Sequence, residues 1–239
     1  MNASRTPIRA VLFDKDGTLI DFHDTWMPAY RAAVQYLAQL TGHARLGNEL
    51  MELAGYDAAN ATLRADSPLA CGTTAEIADL WVARAGLREH PQARATILTI
   101  FHRHATAAPR ATAELDTLFA TLRAQGLALG VATMDSTTAA LESLESLGVR
   151  SQIDFVAGFD AGFGAKPEPG MVRAFGAAVG LSAEAIAVVG DSVIDLQMGR
   201  NARAGLCIGV LSGVTGRAQL LPLADIVLDD VSAVPDALV

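Results

Sequence analysis

The sequence predicts an α/β protein, a doubly wound, Rossmann-like parallel sheet into which an all-helical segment is inserted. Three observations carry this prediction. From about residue 110 onward, short apolar runs alternate with amphipathic stretches of helical length, the pattern of strand-helix-strand units with right-handed crossovers. A further strand-like run, Ile8-Arg9-Ala10-Val11-Leu12-Phe13, stands alone near the N-terminus. Between these parts, residues 21–109 show helical periodicity and almost no strand signal. The expected division is therefore an α/β core from residues 1–20 plus 110–239, and a helical insert over residues 21–109.

In chain order, the first strand ends where Asp14-Lys15-Asp16-Gly17-Thr18 brings in charge and glycine. Within the insert, Asp24 is expected to cap a helix running to about Leu40, and Leu46, Leu50 and Leu53 mark a short second helix. Thr73-Thr74-Ala75-Glu76 has the spacing of a capping box, with Ile77, Leu80 and Trp81 on the following face and Gly86 as the stop. Pro91 opens a helix carrying Ile97, Ile100 and Phe101. In the core, Leu115, Leu118, Phe119 and Leu122 define a helix that stops at Gly126, and a strand over residues 127–132 leads to Thr133. Leu141, Leu144 and Leu147 belong to a helix closed by Gly148, and Phe155-Val156 to a short strand. A helix over 169–179, a strand over 186–189, a helix over 193–204 ending at Gly205, and strands over 207–210 and 226–228 complete the series.

The chain has 239 residues, 51% of them hydrophobic, which is enough to bury a sizeable core. Its net charge of -8 and lack of a Lys/Arg cluster argue against a nucleic-acid partner, since that affinity rests on neutralising phosphates. The first apolar run spans six residues, too short for a membrane span or a signal peptide, so a cytoplasmic protein with no membrane partner is expected. Cys71 and Cys207 fit no metal or redox spacing and read as packed thiols. Of 18 cationic residues only Lys15 and Lys166 are lysines, and a lysine among arginines can mark a place that wants a compact ammonium.

Asp14 and Asp16 stand at a strand end, beside a turn through Gly17 that can aim both at one pocket, so one can act as nucleophile and the other as acid and base. Asp191 ends a strand and Asp195 lies one helical turn later. Carboxylates converging without a cation would raise one another's pKa, whereas a hard divalent ion, Mg2+, makes the arrangement favourable. Lys166 sits in a proline-bounded loop, and Thr133 offers a hydroxyl at a strand end; both suit phosphoryl oxygens. In doubly wound sheets ligands bind beyond the carboxyl ends of the strands, so Asp14, Thr133 and Asp191 can share a crevice although far apart in sequence.

Taken together, Asp14-x-Asp16-Gly17-Thr18, Thr133, Lys166-Pro167 and Gly190-Asp191-x-x-x-Asp195 resemble the four motifs of the haloacid dehalogenase superfamily. The insert directly after the first motif, and Gly209-Val210-Leu211-Ser212-Gly213, resemble its phosphoglycolate phosphatase-like branch, whose insert is a cap domain. The resemblance implies an Mg2+-dependent phosphomonoesterase acting through an aspartyl-phosphate, with phosphoglycolate the leading substrate among small phosphorylated metabolites. It implies Asp14 as nucleophile, Asp16 as acid and base, and Thr133 and Lys166 as phosphate ligands. The metal would be held by Asp14, the Asp16 carbonyl, Asp191 and Asp195, the last directly or through water. Asp16 argues against carbon-halogen cleavage, and an insert without lysine argues against Schiff-base phosphonate chemistry. A sugar phosphomutase of the same superfamily and a noncatalytic binding protein of this fold are the alternatives. In the insert, Asp21, His23 and Trp26, which closely follow the first motif, and Arg64 with Ser67 in a Gly- and Pro-flanked loop are expected to touch substrate. Arg64 is the expected partner for a substrate carboxylate.

Overall fold

The computed structural model describes residues 6–238; the outermost ends of the expected core, residues 1–5 and 239, lie outside the described residues. The first strand is β1 (Ala10–Phe13). Helices α1 (Phe22–Thr41) and α2 (Leu46–Leu53) follow, then strands β2 (Tyr56–Asp57) and β3 (Thr62–Leu63). Three more helices, α3 (Pro68–Cys71), α4 (Thr74–Arg84) and α5 (Ala93–Ala107), finish the insert. The chain then alternates through α6 (Leu115–Ala124), β4 (Ala128–Ala132), α7 (Thr137–Ser146), β5 (Phe155–Ala157), α8 (Gly170–Val179), β6 (Ile186–Gly190) and α9 (Val193–Ala202). It ends with β7 (Leu206–Val210), α10 (Arg217–Leu220), β8 (Ile226–Leu228) and α11 (Val234–Ala237).

Six strands form a parallel sheet in the order β5-β4-β1-β6-β7-β8. The chain fills the sheet to one side of β1 and then to the other, so strand order reverses around β1, where such sheets bind ligands. Register fixes the geometry: Phe13 lies level with Val131 on one side and Val189 on the other, so the residues just past these strand ends emerge at one rim.

Side chains alternate across the sheet with a period of two. Val11, Phe13, Leu129, Val131, Ala187 and Val189 pack with Leu118, Phe119 and Leu122 of α6 on one face. Ala10, Leu12, Ile186 and Val188 meet Phe175 of α8 and Met198 of α9 on the other. Both faces are covered, which is why these strands read as continuous apolar runs.

The insert has its own apolar cluster, built from α1, α2, α4 and α5. Tyr30 stands at its middle, with ring centroids 5.8 Å from Trp26, 5.9 Å from Trp81 and 5.7 Å from Phe101. Two buried polar atoms of this cluster are paired: Tyr30 Oη donates to the Leu69 carbonyl at 2.9 Å and Trp81 Nε1 to the Leu50 carbonyl at 3.0 Å. Burial of each large side chain contributes about 2–3 kcal/mol. Where the insert leaves and rejoins the core, Ile20 bridges Ala111, and the Asp21 N–H donates to the Arg110 carbonyl at 2.7 Å.

Several expectations need local correction. The insert is helical apart from a short antiparallel ribbon, β2 with β3. Asp21 caps α1 by accepting the Asp24 N–H at 2.8 Å, so Asp24 lies in the first turn. The capping box at Thr73 and Glu76 is present as expected. Helix α5 begins two residues after Pro91. Helix α9 ends at Ala202 and is capped by Arg203 in the left-handed conformation (φ 61°), so Gly205 is not the stop. Glycine at 205 answers to packing instead: a Cβ there would lie 2.0 Å from the Glu184 carbonyl oxygen. No helix among the described residues is long and apolar enough to cross a membrane.

Candidate active site

Asp14 is the first residue past β1, and its N–H donates to the Val189 carbonyl at 2.8 Å, pinning it to β6. The chain then folds back tightly: Leu19 and Ile20 donate their N–H groups to the Lys15 carbonyl, and the Gly17 N–H to the Ile20 carbonyl at 2.7 Å. Gly17 sits at φ +90°, which glycine adopts without penalty, and a Cβ there would come within 2.7 Å of the Asp191 carboxylate. Both constraints require glycine.

Asp191, the first residue past β6, is held from two sides. Thr18 Oγ1 donates to its Oδ1 at 3.3 Å, and the Val214 N–H to its Oδ2 at 3.2 Å. Gly213 closes on the same carboxylate so tightly that a Cβ would stand 1.8 Å from Oδ2. Ser212 Oγ ties this loop to the first by donating to the Gly17 carbonyl at 2.7 Å.

The buried Lys166 ammonium donates to Asp14 Oδ1 and, at 2.6 Å, to Asp195 Oδ1. The other oxygen of Asp195 accepts from Ser192 N–H at 3.0 Å and Ser192 Oγ at 2.6 Å, completing the capping box of α9. Asp195 thus serves at once as helix cap and lysine anchor.

One carboxylate oxygen from each of Asp14, Asp191 and Asp195 lies within 4.8 Å of the others. Burial pushes the Asp14 carboxyl up to about 7, with Asp195 and Asp16 adding to the rise and Lys166 opposing it. Asp191 is raised well above the ordinary carboxylate range, first by burial and then by Asp14 and Asp195. Buried, crowded oxygens of this kind are the donor set of a hard divalent cation, whose charge removes the strain of ionising them together. The residues therefore fit such an ion.

Asp16 lies beside this cluster, its Oδ1 accepting from Lys15 Nζ at 2.9 Å and its Oδ2 from Thr133 Oγ1 at 3.4 Å. Lys15 is fully buried and bridges to Asp135 Oδ2 at 3.2 Å, with its ammonium 5.8 Å from the centre of the Trp26 ring. Burial works against the charged ammonium, but Asp16 and Asp135 outweigh it and hold the pKa above its ordinary value. Asp135 in turn donates its N–H to Thr133 Oγ1 at 3.0 Å, so Lys15, Asp135 and Thr133 form one brace around Asp16.

Asp14, Asp16, Thr133, Lys166, Asp191 and Asp195, separated by up to 181 positions in the chain, all line one cavity. Its opposite wall is made by the insert, where Phe22, Trp26 and Tyr30 recur every fourth residue on one face of α1, joined by Leu69 and Ile77. Asp21, His23 and Arg64 are not among the lining residues. Asp21 spends its carboxylate on the cap of α1, His23 projects from the exposed side of that helix, and Arg64 lies exposed beside the β2–β3 ribbon. Trp26 was the better signal: four residues past Phe22, it shares the helix face that His23 leaves. The sequence reading also missed Lys15 and Asp135 as structural partners, although the scarcity of lysine pointed at the first.

The fold agrees with known proteins. Solved structures that superpose over nearly the whole chain include a predicted phosphoglycolate phosphatase from Haemophilus somnus 129PT, with 18% identity, TM-score 0.73, and 98% of this chain and 99% of that one covered. A candidate β-phosphoglucomutase from Thermotoga maritima has 18% identity, TM-score 0.67 and coverage of 97% and 98%. A subfamily IA hydrolase of the haloacid dehalogenase superfamily from Geobacter sulfurreducens has 17% identity, TM-score 0.64 and 100% coverage of both chains. At such identities these likenesses establish the fold. No curated protein matches the sequence. The family model of the haloacid dehalogenase-like hydrolases matches residues 8–203, and the chain belongs to that family.

Proposed function

We propose that this hydrolase cleaves small phosphate monoesters with the help of Mg2+, through a covalent aspartyl-phosphate on Asp14. The observation that supports this most is the position of the Asp14 carboxylate, which touches Lys166, adjoins Asp191 and Asp195, and opens on the same cavity as Asp16.

In this reading an oxygen of Asp14 attacks phosphorus as the bond to the ester oxygen breaks, and Asp16 gives its proton to the departing alkoxide. Asp16 then takes a proton from a water whose oxygen attacks phosphorus, and the bond to Asp14 breaks to release phosphate. Lys166, fixed between Asp14 and Asp195, orients the nucleophile and offers positive charge to the phosphoryl oxygens. Thr133 and the Lys15–Asp135 pair keep Asp16 aimed at the leaving group. Asp14, the Asp16 carbonyl and Asp191 would hold Mg2+, with Asp195, both of whose oxygens already have donors, contributing from one step further out. When bound, the ion supplies charge neutralisation for the phosphoryl oxygens.

The partner is then a small phosphorylated metabolite of the cytoplasm. Phosphoglycolate is the first ester to assay, on the strength of the motif pattern and of a solved protein with this fold that is predicted to act on it. The hydrolase reading is tested with p-nitrophenyl phosphate and Mg2+. The protein is expected to release nitrophenolate, and Asp14→Asn to lower turnover about 10³-fold or more while keeping the fold. Undiminished turnover in Asp14→Asn would remove Asp14 as the nucleophile.

A further inference from the structure

The wall of the cavity that faces away from the phosphate-binding side carries a selectivity of its own. Phe22, Trp26, Tyr30, Leu69 and Ile77 are all apolar or aromatic, and the insert adds two hydroxyl side chains to the lining, Tyr30 and Thr74. Two sets of hydrogen-bonding groups close to this wall are already committed, those of Tyr30 and of the Thr73–Glu76 capping box. Tyr30 Oη donates to the Leu69 carbonyl. At the N-terminus of α4, the Glu76 carboxylate accepts from Thr73 N–H at 2.8 Å and Thr73 Oγ1 at 3.0 Å, so the positive end of that helix is already met by an anion. Trp26 Nε1 is a buried donor with no acceptor among the described residues.

Charge is distributed just as unevenly. Among the described residues that line the cavity the sole cation is Lys166, which is taken up by Asp14 and Asp195, while five aspartates line the same space. A substrate carboxylate held against the wall would be buried with no free cation to pair it and within reach of those aspartates. A sugar would fare badly for a related reason, since several hydroxyls would lose water and find few acceptors.

We propose that the leaving group this site selects is uncharged and mainly apolar, an alkyl or aryl alcohol carrying at most one neutral oxygen, and that phosphoglycolate and sugar phosphates are poor substrates. The assignment rests on the hydrolase reading for its chemistry, but the wall's preference can be read by binding alone.

The test compares phosphoglycolate, propyl phosphate, phenyl phosphate and glucose 1-phosphate with Mg2+. Propyl and phenyl phosphate are expected to exceed phosphoglycolate in kcat/KM by about 10-fold or more, the value of one unpaired buried group. In parallel, propylphosphonate and phosphonoacetate, which cannot be hydrolysed, are titrated into the Mg2+-loaded protein, with propylphosphonate expected to bind at least about 10-fold more tightly. Thr74→Arg, which adds a cation to the wall, is expected to shift both ratios toward the carboxylate. Equal or better use of phosphoglycolate, or tighter binding of phosphonoacetate, would overturn the proposal. If no ester is turned over but the phosphonate preference holds, the hydrolase reading falls and the assignment of the wall stands.

Discussion

Metal binding should stabilise this protein much more at alkaline than at acid pH, and the structure sets the sign and the scale. Without a metal, Asp14 titrates near 7 in the folded protein against 3.8 for a free side chain, because it is buried and faces Asp195 and Asp16. Between those values the folded chain keeps a proton that the unfolded chain has lost, so the metal-free protein loses stability as pH rises from about 4 to about 7. The shift of roughly three pK units amounts to about 4 kcal/mol for Asp14 alone. Asp191 moves in the same direction. A divalent cation reverses this by favouring the ionised carboxylates, and its benefit is therefore small near pH 5 and large near pH 8. Of the Asp14 contribution, about 3 kcal/mol falls between pH 5 and pH 8, which for a chain of this length corresponds to roughly 8 °C in Tm. Thermal melts with MgCl2 or with EDTA at these two pH values read the difference directly. A Mg2+-induced shift that is equal at both values, or larger at the acid one, would refute the argument that these carboxylates are held protonated until a cation arrives.

Other substitutions probe the braces around the site. Lys15→Met leaves Asp135 buried without its cation and should cost about 3–5 kcal/mol in a urea melt, with Lys15→Met/Asp135→Leu recovering much of the loss. Gly213→Ala puts a Cβ where Asp191 Oδ2 now lies, so Mg2+ affinity measured by calorimetry should fall by about 10-fold or more while circular dichroism is unchanged. Asp16→Asn removes the proton donor, so turnover of propyl phosphate should drop by about 10²–10⁴-fold, whereas p-nitrophenyl phosphate, whose leaving group needs little protonation, should lose less.

What the sequence made legible was set by short-range rules. Asp14, Thr133 and Asp191 follow apolar runs that can only be strands, and in a parallel sheet the ends of strands meet at one rim whatever their distance in sequence. Lys166 was legible because so few lysines occur. Less legible was anything that depends on which way a helix turns its faces. Asp21 and His23 flank Phe22, yet the helix sends Phe22, Trp26 and Tyr30 to the cavity, turns His23 outward and keeps Asp21 as its cap. Arg64 carries the charge that would suit a substrate carboxylate, but its backbone belongs to a ribbon-flanking turn, where its N–H donates to the Gly55 carbonyl. The Lys15–Asp135 pair was hidden for a different reason. A strand-end lysine is ordinarily solvated, and only the packing of Trp26 over it makes it a buried bridge. Likewise, the C-cap of α9 is Arg203, in the left-handed region that favours glycine, while the glycine two residues on answers to contact with Glu184.

The central claim is that phosphate passes through the carboxylate of Asp14. It is tested most directly by quenching the enzyme during turnover with borohydride, which reduces an acyl-phosphate to an alcohol, and mapping the product by peptide mass spectrometry. The account predicts homoserine at position 14 and at no other aspartate. Full turnover with position 14 unmodified, or with the reduced residue at Asp16, Asp191 or Asp195, would contradict it.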